Sequence, residues 1–107
     1  MILKRETMKM KNELEMFVKT LAEHKEELQQ RYKVKEIGIF GSVVRGEQKG
    51  TSDVDILVEF EKPIGFFTFL ELEEYLSNLL GLKVDLVSKK ALKPNIGRYI
   101  LQEVIPI

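Results

Sequence analysis

Asp53 and Asp55 stand two residues apart, downstream of a Gly41-Ser42 pair, and a third acid, Asp85, is embedded in an apolar V-D-L-V run. Carboxylates on neighbouring strands can hold a divalent metal. A glycine-serine turn that opens a helix can hold phosphate. The combination predicts a site for nucleotidyl transfer from a nucleoside triphosphate.

Alternation along a strand puts Asp53 and Asp55 on one side, about 7 Å apart at the backbone. Carboxylates so close repel one another unless a positive charge intervenes. Mg²⁺ fits, because it is a hard cation bound through a few carboxylates and substrate phosphates. A third acid on a neighbouring strand allows two Mg²⁺ ions, one on the triphosphate and one lowering the pKa of an attacking hydroxyl. Asp53 and Asp55 are expected to bind both ions, and Asp85 to complete the one nearer the nucleophile and to act as general base. At the turn, Gly41 lets the backbone approach phosphate closely. Ser42 adds a hydroxyl, and Arg45, one turn on, is in reach of either phosphate or an acidic neighbour. Each piece alone has an ordinary explanation: a D-x-D at a strand end, a plain turn, a surface ion pair. Lys89, Lys90 and Lys93, just past Asp85, read as a solvated face that could assist phosphate binding. The weight lies in the conjunction.

Three strands and their helices must position these residues. Residues 6–32 read as one helix, with Leu14, Phe17, Val18, Leu21 and Leu28 at helical spacing. His24 falls near the edge of that stripe and reads as a partly buried or surface histidine. Residues 34–40 read as a strand with Ile37 and Ile39 opposite Gly38 and Phe40. Ser42 is the expected N-cap of a short helix, and residues 46–52 form a polar loop. In residues 54–60, Val54, Ile56, Val58 and Phe60 oppose Asp55, Leu57 and Glu59. A second amphipathic helix covers residues 66–80, with Gly81 as its C-cap. Residues 83–87 give a third strand, with Val84 and Leu86 opposite Asp85, and residues 95–103 a last helix. The expected fold is therefore α/β (α+β): a small mixed sheet with helices packed mainly on one face. The three aspartates would share the open face.

A length of 107 residues predicts a single domain over 1–107. With 44% apolar residues the chain has the composition of a folded protein. Seventeen basic and 17 acidic residues cancel, so no bulk field draws the chain to nucleic acid or an anionic membrane. The lack of cysteine excludes disulfides and cysteine-ligated zinc. The first residues lack the apolar region of a secretory signal, and no apolar run suits a membrane span. The expectation is a cytoplasmic protein.

The segments G-S-V-V-R-G-E, S-D-V-D-I-L-V-E-F and K-V-D-L-V resemble the minimal nucleotidyltransferases of the DNA polymerase beta superfamily. Most similar is the MNT group of HEPN–MNT toxin–antitoxin pairs. The likeness runs from the E-E-L helix through A-L-K-P to the I-L-x-E-x-I segment. It implies the polymerase-beta-type fold, with Gly41 and Ser42 as the phosphate-binding pair and Asp53, Asp55 and Asp85 as the metal-binding carboxylates. Arg45 matches the arginine of the R-G-E motif. It further implies an antitoxin that transfers AMP from ATP to a tyrosine of a partner HEPN ribonuclease.

Two other readings compete. One is a binding module that neutralises a toxin by covering it, which has no need of three clustered carboxylates. The other is a transferase acting on a small molecule or nucleic acid, against which the zero net charge and the absence of a second substrate domain both count. A chain this short is expected to borrow part of its acceptor site from a partner or a second subunit.

Overall fold

The computed structural model describes the backbone of residues 2–47 and 53–107, and the side chains of 13–47 and 53–107. In chain order the elements are α1 (Ile2–Glu23), α2 (Lys25–Tyr32), β1 (Val34–Phe40), α3 (Ser42–Arg45), β2 (Val54–Phe60), α4 (Phe66–Leu80), β3 (Val84–Ser88), a 3₁₀ turn (Lys89–Ala91), α5 (Pro94–Glu103) and β4 (Ile105–Pro106). Of the polar loop expected at 46–52, residues 48–52 lie outside the described residues.

The four strands form one mixed sheet in the order β3-β2-β1-β4. β1 runs antiparallel to β2 and to β4, and β2 runs parallel to β3. A parallel pair cannot be closed by a tight turn and needs a crossover; α4 supplies it. Leu72 and Leu76, one helical turn apart, are fully buried on α4, and Leu79 and Leu80 pack against the same core. Gly81 ends the helix in the left-handed conformation, φ 73°, with its N–H donated to Ser77 O at 2.9 Å, as the sequence predicts. Pro94 opens α5, where its missing N–H costs nothing.

One apolar layer lies between the sheet and the helices. It joins Phe17 and Leu21 of α1, Leu28 and Tyr32 of α2, Ile37 and Ile39 of β1, Val54, Ile56 and Val58 of β2, Leu72 and Leu76 of α4, and Val84 and Leu86 of β3. These are the strand positions that alternation assigned to the covered face. Tyr75 adds a polar tie between α4 and α2: its hydroxyl donates to Glu27 Oε2 at 2.9 Å. Burial first, and then that carboxylate, push its pKa up to about 12.

The structure departs from the sequence reading in four places. The first helix is broken at His24, whose N–H is shared between Thr20 O at 3.3 Å and Leu21 O at 3.2 Å while its Nδ1 lies 2.8 Å from Thr20 O. The break lets α1 pack on α3 and α4 while α2 packs on β1. Gly41, not Ser42, is the cap of α3; Ser42 is the first helical residue, and no side-chain cap bond forms. β4 is a further, two-residue edge strand. Last, the face opposite the core is not bare. Leu57 and Phe40 are both buried there, outside the main apolar cluster. A Cβ on Gly38 would meet Val104 Cγ2 at 2.6 Å and Ile105 O at 2.9 Å, so the segment after α5 lies directly on this face. No helix among the described residues is long and apolar enough to cross a membrane.

Candidate active site

Strand register builds the site. In the antiparallel β1–β2 pair, Phe40 stands opposite Asp55. In the parallel β2–β3 pair, Asp55 stands opposite Asp85. Asp55 is therefore central, with Asp85 on one side and the Gly41 turn on the other. Asp53 immediately precedes β2 and is partly exposed.

Gly41 adopts φ 83° and ψ −156°, a region open essentially to glycine alone. A Cβ there would collide with the Asp55 carboxylate. The residue is thus fixed twice, by backbone conformation and by the close approach of the carboxylate. Behind it the N–H groups of Val44 and Arg45 both return to Gly41 O, at 3.1 and 3.2 Å.

Asp55, Asp85, Gly41 and Arg45 line one open cleft of about 530 Å³, whose far wall is the Ile96, Tyr99, Ile100 and Glu103 face of α5. Two further hollows, of about 350 and 400 Å³, contain none of the three aspartates. Asp53 and Ser42 are not among the residues that line this cleft. Asp53 instead has Lys83 Nζ at 3.9 Å, a loose pair with a largely exposed lysine. That cation was not evident from residues adjacent in sequence; strand pairing brings it in.

The Asp55 carboxyl is held above its ordinary pKa. Partial burial is the main cause, followed by the like charges of Asp85 and Asp53, with Arg45 opposing and Glu103 adding a little. A cation at this point would relieve that repulsion, and the donors are hard carboxylate oxygens, so the residues fit Mg²⁺. Among the described residues no three acids form a finished metal cage.

Of the two partners open to Arg45 on sequence grounds, an acidic neighbour is the one seen. Its Nε donates to Glu47 Oε2 at 3.0 Å, and its Nη1 donates to both oxygens of Glu103, each at 3.0 Å. These bonds, Glu47 first, raise the guanidinium pKa further. Glu103 also accepts the Gly41 N–H at 2.8 Å. Sequence reasoning passed over Glu103. The available signal was helical spacing, since residues 96, 99, 100 and 103 share one face of α5.

Two acids side by side on a mixed sheet, a glycine turn packed against one of them and an arginine at the rim define a site suited to phosphoryl or nucleotidyl chemistry. Comparison with known proteins specifies the class. Residues 21–107 match the nucleotidyltransferase domain family, and the chain belongs to that family. It is a nucleotidyltransferase of the minimal kind. The protein adenylyltransferase MntA of Thermococcus cleftensis is 55% identical over 92 residues, covering 86% of this chain and 93% of that one. A solved structure of a candidate minimal nucleotidyltransferase superposes with a TM-score of 0.71 at 33% identity, covering 92% of this chain and 95% of the other. A toxin–antitoxin structure with AMP-PNP gives a TM-score of 0.64 at 26% identity over 75% of this chain and 66% of that chain.

Proposed function

We propose that this chain is an antitoxin that transfers AMP from ATP to a hydroxyl of a partner HEPN ribonuclease and thereby silences it. The observation that carries the chemistry is the pairing of Asp55 with Asp85 across the parallel β2–β3 ladder, in a cleft closed on one side by the Gly41 turn. The name of the Thermococcus relative supports protein as the acceptor and AMP as the group transferred. The toxin–antitoxin neighbour with AMP-PNP supports ATP as donor and a toxin as partner. The HEPN class and a tyrosine acceptor rest on the motif resemblance.

In this reading Asp53, Asp55 and Asp85 hold Mg²⁺, two ions at full occupancy. When bound, Mg²⁺ neutralises triphosphate charge and lowers the pKa of the attacking hydroxyl. The chain's own groups do the rest. Gly41 and Ser42 receive the phosphates, with Arg45 at the rim. Asp85 takes the proton of the acceptor hydroxyl. The hydroxyl oxygen forms a bond to the α-phosphorus, the bond from that phosphorus to the bridging oxygen breaks, and pyrophosphate leaves. The half-open cleft leaves room for a protein surface to bring its hydroxyl to Asp85.

The test is to mix the chain with a co-encoded HEPN-type ribonuclease, ATP and Mg²⁺, and to weigh the ribonuclease by intact mass spectrometry. The expected result is a gain of one or more AMP units that is absent with Asp53→Asn. No gain in mass, together with inhibition by Asp53→Asn as strong as by the native chain, would replace this reading with the binding module.

A further inference from the structure

Glu103 lies 62 residues from Gly41 and 58 from Arg45, yet its carboxylate meets both. We propose that Glu103 is a positioning residue of the transfer site, holding the Gly41 turn and Arg45 in place beside Asp55. The inference rests on the nucleotidyl-transfer reading above and adds a residue to it.

The carboxylate is engaged at three points. Oε1 accepts from Gly41 N at 2.8 Å and from Arg45 Nη1 at 3.0 Å, and Oε2 accepts from the same Nη1 at 3.0 Å. A partly exposed arginine–glutamate pair alone would contribute little. The backbone bond is what distinguishes this one. The β1 ladder ends at Phe40, and the first turn of α3 uses the Gly41 carbonyl rather than its N–H. Glu103 therefore supplies the acceptor that neither element provides, in a charge-assisted bond.

The turn has no slack to absorb a loss of that bond. Gly41 abuts the Asp55 carboxylate so closely that a methyl group does not fit. Rotation of the Gly41 peptide would therefore change the spacing between the turn and Asp55. Arg45 is gripped through Nε, by Glu47, and through Nη1, by Glu103. Glu103 closes the cleft-facing stripe that begins at Ile96, so the seating of α5 and the set of the turn are coupled. Misplacement by a fraction of an ångström at a site that works by orientation costs rate more than it costs binding.

The experiment measures steady-state AMP transfer to the co-encoded HEPN-type ribonuclease, with ATP and Mg²⁺, for the native chain, Glu103→Ala, Glu103→Gln, Arg45→Ala and the Glu103→Ala/Arg45→Ala double variant. Glu103→Ala is expected to lower kcat by about ten- to hundredfold. KM for ATP should move by less than about threefold, because the carboxylate touches the turn and not the nucleotide. Glu103→Gln keeps an oxygen for the Gly41 N–H and should recover part of the loss, which a purely structural defect would not explain if both variants melt like the native chain. The double variant should be no slower than the slower single variant, since the two residues act as a unit. Should Glu103→Ala fail to fold, a lowered kcat in a normally melting Glu103→Gln supports the proposal and a native kcat there overturns it. Multiplying losses in the double variant, or native kcat in both Glu103 variants, would also overturn it. So would a lowered KM for ATP with undiminished kcat, which would make the carboxylate a competitor of the triphosphate. Absence of transfer by the native chain removes the functional reading and this role with it; transfer by the native chain with an unchanged kcat in Glu103→Ala removes this role alone.

Discussion

Asp55 carries a charge that the fold alone does not welcome. Partial burial and the neighbouring Asp85 and Asp53 raise its pKa. The folded chain therefore holds the proton more tightly than the unfolded chain. Below the ordinary aspartate pKa both states are protonated and the fold bears no penalty. As pH rises through the raised folded value, the penalty becomes complete, so stability falls across that window. Without nucleotide and Mg²⁺, Asp55→Asn should melt above the native chain at pH 7, and the gap should close below the ordinary aspartate range. Thermal melts at both pH values check this, and an Asp55→Asn variant that fails to fold at pH 7 would mean the carboxylate is structural. The same variant should have lost transfer. At the turn, Ser42→Ala should remove the one hydrogen bond proposed from its hydroxyl to phosphate, worth about 1.5–3 kcal/mol, or a ten- to hundredfold loss in rate. Gly41→Ala should be worse, because the new methyl group strains a glycine-only conformation and strikes Asp55. Comparable kinetics for Gly41→Ala and the native chain would show that the turn does not face the reaction.

β3 is an edge strand, and α4 finishes its outer side. Val84 N–H donates to Ser77 Oγ at 3.0 Å, and Leu86 N–H donates to Glu73 Oε2 at 2.9 Å. These two residues flank Asp85, so the helix that crosses between β2 and β3 also pins the strand that presents the third acid. Capping an edge in this way also blunts its capacity to pair with another chain. Ser77→Ala leaves the N–H of buried Val84 without its partner, at a cost of about 1–3 kcal/mol. Urea unfolding measures that cost, and a change below about 0.5 kcal/mol would place the variant among neutral surface substitutions.

Across the molecule, one apolar layer holds the sheet against α1, α2 and α4, and α5 closes over the opposite face beside the aspartates. A ligand that binds only the folded state stabilises it, by about 2.7 kcal/mol at a hundredfold excess over its Kd. ATP with Mg²⁺ should therefore raise the melting temperature more than ATP alone or Mg²⁺ alone, because in the proposed site the acids and the triphosphate would share the cation. Calorimetric titration gives the same answer as affinity. Equal ATP binding with and without Mg²⁺ would sink the assignment of the aspartates as metal ligands.

Whatever depends on consecutive residues was legible in the chain. Period-two alternation put Val54, Ile56 and Val58 on the face away from Asp55, and the structure buries all three. Helical spacing identified the stripe shared by α1 and α2, and Gly81 marked the end of α4. Tertiary structure decided what depends on residues far apart in the chain. Nothing in the local pattern of β2 or β3 sets Asp55 opposite Asp85 rather than opposite a neighbour; that register exists only once the two strands pair, with α4 packed on β3. The break at His24 arises because α1 and α2 must meet different partners. Lys83 beside Asp53, and Glu103 on Gly41 and Arg45, exist only once the sheet is paired and α5 is seated. Periodicity is written in neighbouring side chains, whereas these contacts are selected by the packing of the whole fold, which no short stretch of sequence contains.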